Sequence, residues 1–211
     1  MADHYDDIEQ SEAVKKWLRD NGSSIVLGAV VGLGGIFGWQ FWQDRQASQA
    51  ASAASNYNIL LEDLESITVE RFQDEITELK DQYQGSPYAS LGAMQLANKA
   101  LSEGDYELAE KELRFASENA KPSALASIAK LRLARILLSA DRAADVLPLL
   151  DATGVIGFEP VAAELRGDAL VSLGRHEEAR AAYEEAIAAG ASGLGGSLQM
   201  KLNDLPTGAD T

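Results

Sequence analysis

The carboxylates best spaced for acid–base chemistry are two pairs, Glu177-Glu178 and Glu184-Glu185, seven residues apart. On a helix that spacing sets the pairs two turns apart on one face, where a hydrolase could use them. The same spacing describes the solvated face of a surface helix, which is the expected reading. Imidazole comes only from His4 and His176, far apart in the chain, so no histidine cluster exists for a metal. His176 is expected in a turn, with a packing role and no partner to make it a base. The glycine runs at 32–38 and 190–196 are not phosphate loops. The first lies in an uncharged apolar stretch, and the second lacks a following Lys-Ser/Thr. One histidine beyond residue 4 assembles no Ser-His-Asp set. The absence of cysteine excludes disulfides, thiol catalysis and Cys-ligated zinc. No catalytic residue, cofactor, metal or small-molecule substrate is therefore expected, and the chain is not expected to be an enzyme.

Charge narrows the partners. Lys and Arg total 18 against 33 Asp and Glu, a formal net charge of −15 over 211 residues. Phosphates need a basic patch, so nucleic acid is not an expected partner. The same acidity opposes adhesion of the bulk of the chain to anionic lipid. It suits a self-repelling domain that faces other proteins.

One stretch is built for a bilayer. Residues 24–42 carry no charge, and Gln40 is their only strongly polar member. Nineteen residues of helix reach roughly 28 Å, close to a hydrocarbon core of about 30 Å. Lys15, Lys16 and Arg19 precede the stretch, whereas Arg45 alone follows it closely. That asymmetry predicts a cytoplasmic N-terminus and a translocated C-terminal part, in a bacterium the periplasm. Trp39, Phe41 and Trp42 are expected to form an aromatic collar at the outer interface. The alternative is a cleaved signal peptide, for which the alanines and serines at 47–54 offer cleavage spacing. The long apolar run and the collar favour a retained anchor. Gly28 with Gly32, and Gly34 with Gly38, are four apart and are candidate helix-contact positions in the membrane. Ahead of the span, Ala13, Val14, Trp17 and Leu18 recur at helical spacing, predicting a short interfacial helix that Asn21-Gly22 can end. Asp3, Asp6, Asp7 and Glu9 before it are expected to be disordered.

Beyond the span the chain repeats itself. Residues 46–64 are alanine-rich without Pro or Gly, which predicts that the helix continues outward. Phe72, Ile76, Leu79 and Tyr83 mark a second helix, and Gly85-Ser86-Pro87 breaks it. From Ala97, the residues Gly104, Tyr106, Ala109, Leu113 and Ala116 lie at offsets of 7, 9, 12, 16 and 19. From Gly167, the residues Gly174, His176, Ala179, Tyr183 and Ala186 lie at the same five offsets. A degenerate middle copy starts at Ala134 and places Asp141, Ala143, Val146, Leu150 and Thr153 there. This is the spacing of the tetratricopeptide repeat, a helix pair of about 34 residues. Small residues at Ala97 and Gly167 admit the facing helix, Leu113 and Tyr183 fill the gap, and Gly104 and Gly174 turn the chain. Each pair leaves an apolar face for the next to cover.

The predicted fold is all-α: a single N-terminal transmembrane helix followed by a tetratricopeptide-repeat α-solenoid. Residues 1–23 form a cytoplasmic segment with the short amphipathic helix, and 24–42 the anchor. Residues 43–86 are a helical linker or degenerate first repeat. Periplasmic repeats with a C-terminal cap at 194–202 fill 87–205, and 206–211 is a polar tail.

These blocks resemble a known family. The run SEAVKKWLRDNG, the uncharged span ending GWQFW, and the alanine-rich stretch after it look like the start of YfgM-like proteins. LRLARILL at 131–138, ELRGDALVSLG at 164–174 and SLQMKLNDL at 197–205 match as well, so the resemblance runs along nearly the whole chain. It implies an ancillary subunit of the SecYEG translocon in the bacterial inner membrane. It also implies work beside periplasmic chaperones, including the membrane-anchored prolyl isomerase PpiD, on newly translocated proteins. A stress-response role of the cytoplasmic segment is implied too, and no catalytic residues are. A scaffold for another envelope complex, in cell division or wall synthesis, is the alternative function, and a cleaved, freely diffusing periplasmic binding module is a third.

Overall fold

The computed structural model describes residues 3–64, 66–151, 154–190 and 195–206, with side chains from residue 15 onward except those of 25 and 195. Every described element is a helix. The chain divides into two units, residues 1–49 and 50–211.

The described part of the first unit lies within α1 (Asp3–Glu62). Two expectations fail here. The acidic residues Asp3, Asp6, Asp7 and Glu9 are helical, and Asn21-Gly22 does not end the helix. Asn21 donates its side-chain amide to the Trp17 carbonyl at 3.0 Å, one helical turn back, so it bonds within the helix instead of capping it. The axis instead bends by 43° between Lys15–Ser24 and Val26–Glu62. Among the described residues no single helix is long and apolar enough to cross a membrane; that bent pair together meets the length and composition. Val26, Leu27, Val30, Val31, Ile36 and Phe37 are all exposed, so this part of α1 is apolar all round.

The second unit stacks helices in chain order. The last turns of α1 contribute Ala53 and Tyr57 to its core. α2 (Val69–Gln82) starts at Thr68, whose hydroxyl accepts from the Arg71 N–H, and buries Phe72, Ile76 and Leu79 at helical spacing. Ser86 caps α3 (Pro87–Glu103), with Pro87 in the first turn where its missing N–H costs nothing. Asp105 caps α4 (Tyr106–Asn119), accepting from the Leu108 N–H at 2.9 Å. α5 (Ser123–Ser139) packs on α4 and α7 (Glu159–Ser172), with the short α6 (Ala143–Leu149) beside it. α8 (His176–Ala188) pairs with α7, and α9 (Gly195–Asn203) closes on α8. α9 lies within the stretch 194–202 read as a closing helix except for Asn203, and Leu194 lies outside the described residues. One hydrophobic core runs from Tyr57 to Ala169, and a second lies around Ala179, Tyr183 and Leu198.

Candidate binding surface

The repeat positions read from the sequence fall along three consecutive helix pairs. Ala97, Ala109, Leu113 and Ala116 are buried at the α3–α4 contact. Gly167, Ala179, Tyr183 and Ala186 are buried at the α7–α8 contact. In the middle copy Ala134, Val146 and Leu150 are fully buried, and Ala143 nearly so. Its Thr153 lies outside the described residues. α6 is short, with Pro148 inside its last turn and Leu150 already past its end.

All three turns have one geometry. Gly104, Asp141 and Gly174 have φ of +84°, +57° and +72°. The residue after each donates its N–H five positions back: Asp105 to Ala100, Arg142 to Leu137 and Arg175 to Leu170, each at 2.9 Å. That bond satisfies a carbonyl the helix end would otherwise orphan. The middle copy therefore keeps the backbone of the turn without its residue type, although its second helix is shorter.

His176 is not in the turn. It is the first residue of α8, and its Nδ1 is buried without a hydrogen-bond partner among the described groups. The acidic pairs lie on the exposed part of α8. Glu178 bonds Arg175 at 2.6 Å, and the hydrogen bond from that guanidinium holds its carboxyl below the usual range. Glu185 pairs with Arg166 of α7. Among the described residues neither pair is hydrogen-bonded to a histidine. Among the described residues no group of three or more His, Asp or Glu is placed for a metal.

Side chains that the sequence did not single out pin the helices together. Lys80 of α2 meets Glu112 of α4 at 2.7 Å, and Glu112 is only 1% exposed. Its ammonium also stands 4.8 Å from the Phe115 ring centroid. Arg142 joins Glu110 of α4 at 2.7 Å and its own neighbour Asp145 at 2.7 Å. Burial alone would raise the Glu110 carboxyl, but hydrogen bonds from Arg114 and Arg142 outweigh it and lower it. Lys201 of α9 clasps Glu164 at 2.8 Å and Asp168 at 2.7 Å on α7. Asp168 also accepts from the Tyr183 hydroxyl at 2.8 Å. Burial, then that bond, pushes the Tyr183 phenol up. Partners separated by 15 to 37 residues leave no local sequence signal, which is why pattern reading passed over them.

The concave surfaces are open and shallow. Two lie along a crease between the last turns of α1 and α2, with volumes of about 190 and 520 Å³. A third, about 630 Å³, spreads over charged residues of α4 near Arg142. In the first unit, Gly28, Gly32, Gly34 and Gly38 have nothing within 4 Å of where a Cβ would stand. Trp39 and Trp42 contact each other at 5.3 Å between ring centroids, and Phe41 beside them is exposed. Lys15, Lys16 and Arg19 are exposed ahead of the bend.

Known proteins align with this chain over nearly its whole length. A protein of Escherichia coli K12 named "Ancillary SecYEG translocon subunit" is 28% identical over 204 residues, covering 93% of this chain and 95% of its own. Proteins of the same name from Haemophilus influenzae Rd and Neisseria gonorrhoeae are 28% and 25% identical, over 97% of this chain and all of their own. No solved structure matches the chain. The model of the tetratricopeptide repeat-like domain matches residues 15–207, and with three turns of one geometry between paired helices the chain belongs to that family.

Proposed function

We propose that this chain is an ancillary, non-catalytic subunit of a SecYEG translocon. It is held in the inner membrane by residues 24–42, with its N-terminus in the cytoplasm and its repeats in the periplasm. There it links the channel to periplasmic chaperones, the anchored prolyl isomerase among them, and assists newly translocated proteins. The observation that carries this reading is end-to-end similarity: relatives bearing the translocon name align with span and repeats together.

Physical features support the same reading. An uncharged helix exposed all round is costly in water and at home in lipid. The cluster Lys15, Lys16 and Arg19 against the lone Arg45 orients it. Tethering raises the local concentration of the repeats beside the channel without any new contact.

Two measurements on membranes test it. Mild-detergent purification of the tagged full chain should bring down the channel subunits. Protease added to spheroplasts should remove a C-terminal tag and spare an N-terminal one. Co-isolation of division or wall-synthesis proteins without the channel would overturn the translocon reading, and a C-terminal tag resistant in spheroplasts would overturn the topology.

A further inference from the structure

The two ends of the repeat stack are finished differently. At the C-terminal end α9 covers the last hairpin, with Leu198 fully buried and Lys201 reaching back to Glu164 and Asp168. At the other end, the crease between α1 and α2 is left open within the second unit. Its two concavities share Ile59, Leu60 and Glu75. The floor is aliphatic, from Ile59, Leu60 and Ile67, and Ile59 is 56% exposed. The rim is acidic on balance, with Asp63, Glu75 and Glu78 against Arg71. Between residues 50 and 86 stand eight Asp and Glu against Arg71 and Lys80 alone, and Lys80 is committed to Glu112.

We infer that this crease docks one helix of a folded partner protein, with aliphatic residues along one face and lysines or arginines flanking them. The inference rests on the proposed reading as a protein-binding subunit. In a repeat array the outer face of a hairpin is covered by the next helix, as α9 does at the far end. A guest helix in that place presents anchors at i, i+3 or i+4, and i+7 to an aliphatic floor. The α2 wall from Thr68 to Gln82 is about 20 Å long, enough for some four turns of guest helix. The acidic rim selects its charge, since like charges across an interface are repulsive. A second copy of this chain would bring the same acidic rim, and anionic lipid would be repelled by it.

The test uses the full chain in its membrane, with a photoreactive residue replacing Ile59 and, as control, one replacing the exposed Tyr106 on α4. Crosslinks from position 59 should map to one contiguous helix of one folded protein, rich in Lys or Arg beside aliphatic residues. Those from 106 should not. Glu75→Lys with Glu78→Lys should cut the crosslink yield at least about tenfold, and the Gln pair less. Reversing the mapped lysines to glutamate should restore it. Glu78 is exposed and Glu75 half-buried, and unchanged helical content would show the variant folded. Crosslinks scattered over unfolded chains, onto a second copy or onto lipid would overturn the proposal. So would no crosslink, or a yield indifferent to charge reversal. Channel subunits that still co-purify in that case would leave the translocon reading standing; their absence with the unaltered chain would sink that reading instead.

Discussion

Gly167→Ala tests the repeat packing at its tightest point. A Cβ there would stand 2.3 Å from Cε1, 2.5 Å from Cδ1 and 3.0 Å from Cζ of Tyr183. Two carbons rest at about 3.5 Å or more, so the ring must withdraw by about 1 Å. It cannot do so freely, because its hydroxyl is bonded to Asp168, which Lys201 also holds. Overpacking of this kind costs about 1–3 kcal/mol. Stretching the bond to the carboxylate adds part of the roughly 1.5–3 kcal/mol that such bonds are worth. Alanine's better helix propensity returns up to about 1 kcal/mol. The net expectation is a loss of about 1–3 kcal/mol. For a domain of this size each kcal/mol lowers the thermal midpoint by about 2–4 °C. All three tryptophans, Trp17, Trp39 and Trp42, lie in the first unit, so circular dichroism of the full chain should follow the transition, with urea as the second axis. Gly92→Ala is the control. Its Cβ would meet Ile76 Cδ1 at 2.7 Å, but that is the end of a rotatable side chain, and the cost should stay below about 1 kcal/mol. Adding Tyr183→Ala to Gly167→Ala removes the obstacle, so the pair should be more stable than additivity requires. An unchanged or raised midpoint for Gly167→Ala, at unchanged urea slope, would refute the packing argument.

Three further outcomes are expected. Asp141→Gly should stabilise the second unit by about 0.5–1 kcal/mol in urea unfolding, because a left-handed backbone costs a non-glycine residue about 1–2 kcal/mol and glycine's own entropy takes back part. Lys80→Ala should cost about 3–5 kcal/mol by stranding Glu112, whereas Lys80→Met with Glu112→Leu should recover much of it; equal losses in both would mean the pair is not the pin described. Burial would lower the Lys201 pKa, but Asp168 and Glu164 outweigh it and raise it, so its clasp stabilises fully below the ordinary lysine value of ~10.4 and is lost as pH rises through the higher folded value. The raised Tyr183 phenol acts in the same direction, and Lys201→Met should flatten the alkaline fall of the thermal midpoint without abolishing it.

The legible part of this fold is the part written in short spacings. Gly104 and Gly174 each imply a left-handed turn, and the offsets of 12, 16 and 19 carry the packing face of the following helix. Asp141 shows the limit of residue-type matching: its backbone obeys the repeat although its side chain does not. Asn21-Gly22 shows the reverse, a stop signal without a stop, because the Asn21 amide found a partner one turn back. Lys80 with Glu112, and Lys201 with Asp168, are invisible locally because chain folding alone brings their helices side by side. The loop before α7 belongs to the same class. Ser127 of α5 accepts from the Ile156 N–H at 2.8 Å, and Lys130 donates to the Gly154 carbonyl at 2.7 Å. Long-range bonds of this kind hold a segment that its own residues do not specify.

The acidity acquires a meaning once the paired carboxylates are set apart. Glu112, Glu164, Asp168 and Glu110 each hold a cation between helices, so they serve the fold. Asp63, Glu75 and Glu78 enter no such ion pair among the described residues and stand around exposed aliphatic surface. Placing unbalanced charge beside an apolar floor stabilises nothing within the chain and discourages pairing of two copies through that face. Under the proposed topology the same surplus keeps the repeats off an anionic bilayer, leaving the helix alone to hold them near it. In that proposal anchor and acidity act separately, since the proposed anchor would fix where the domain is and the acidity would restrict what can sit on it.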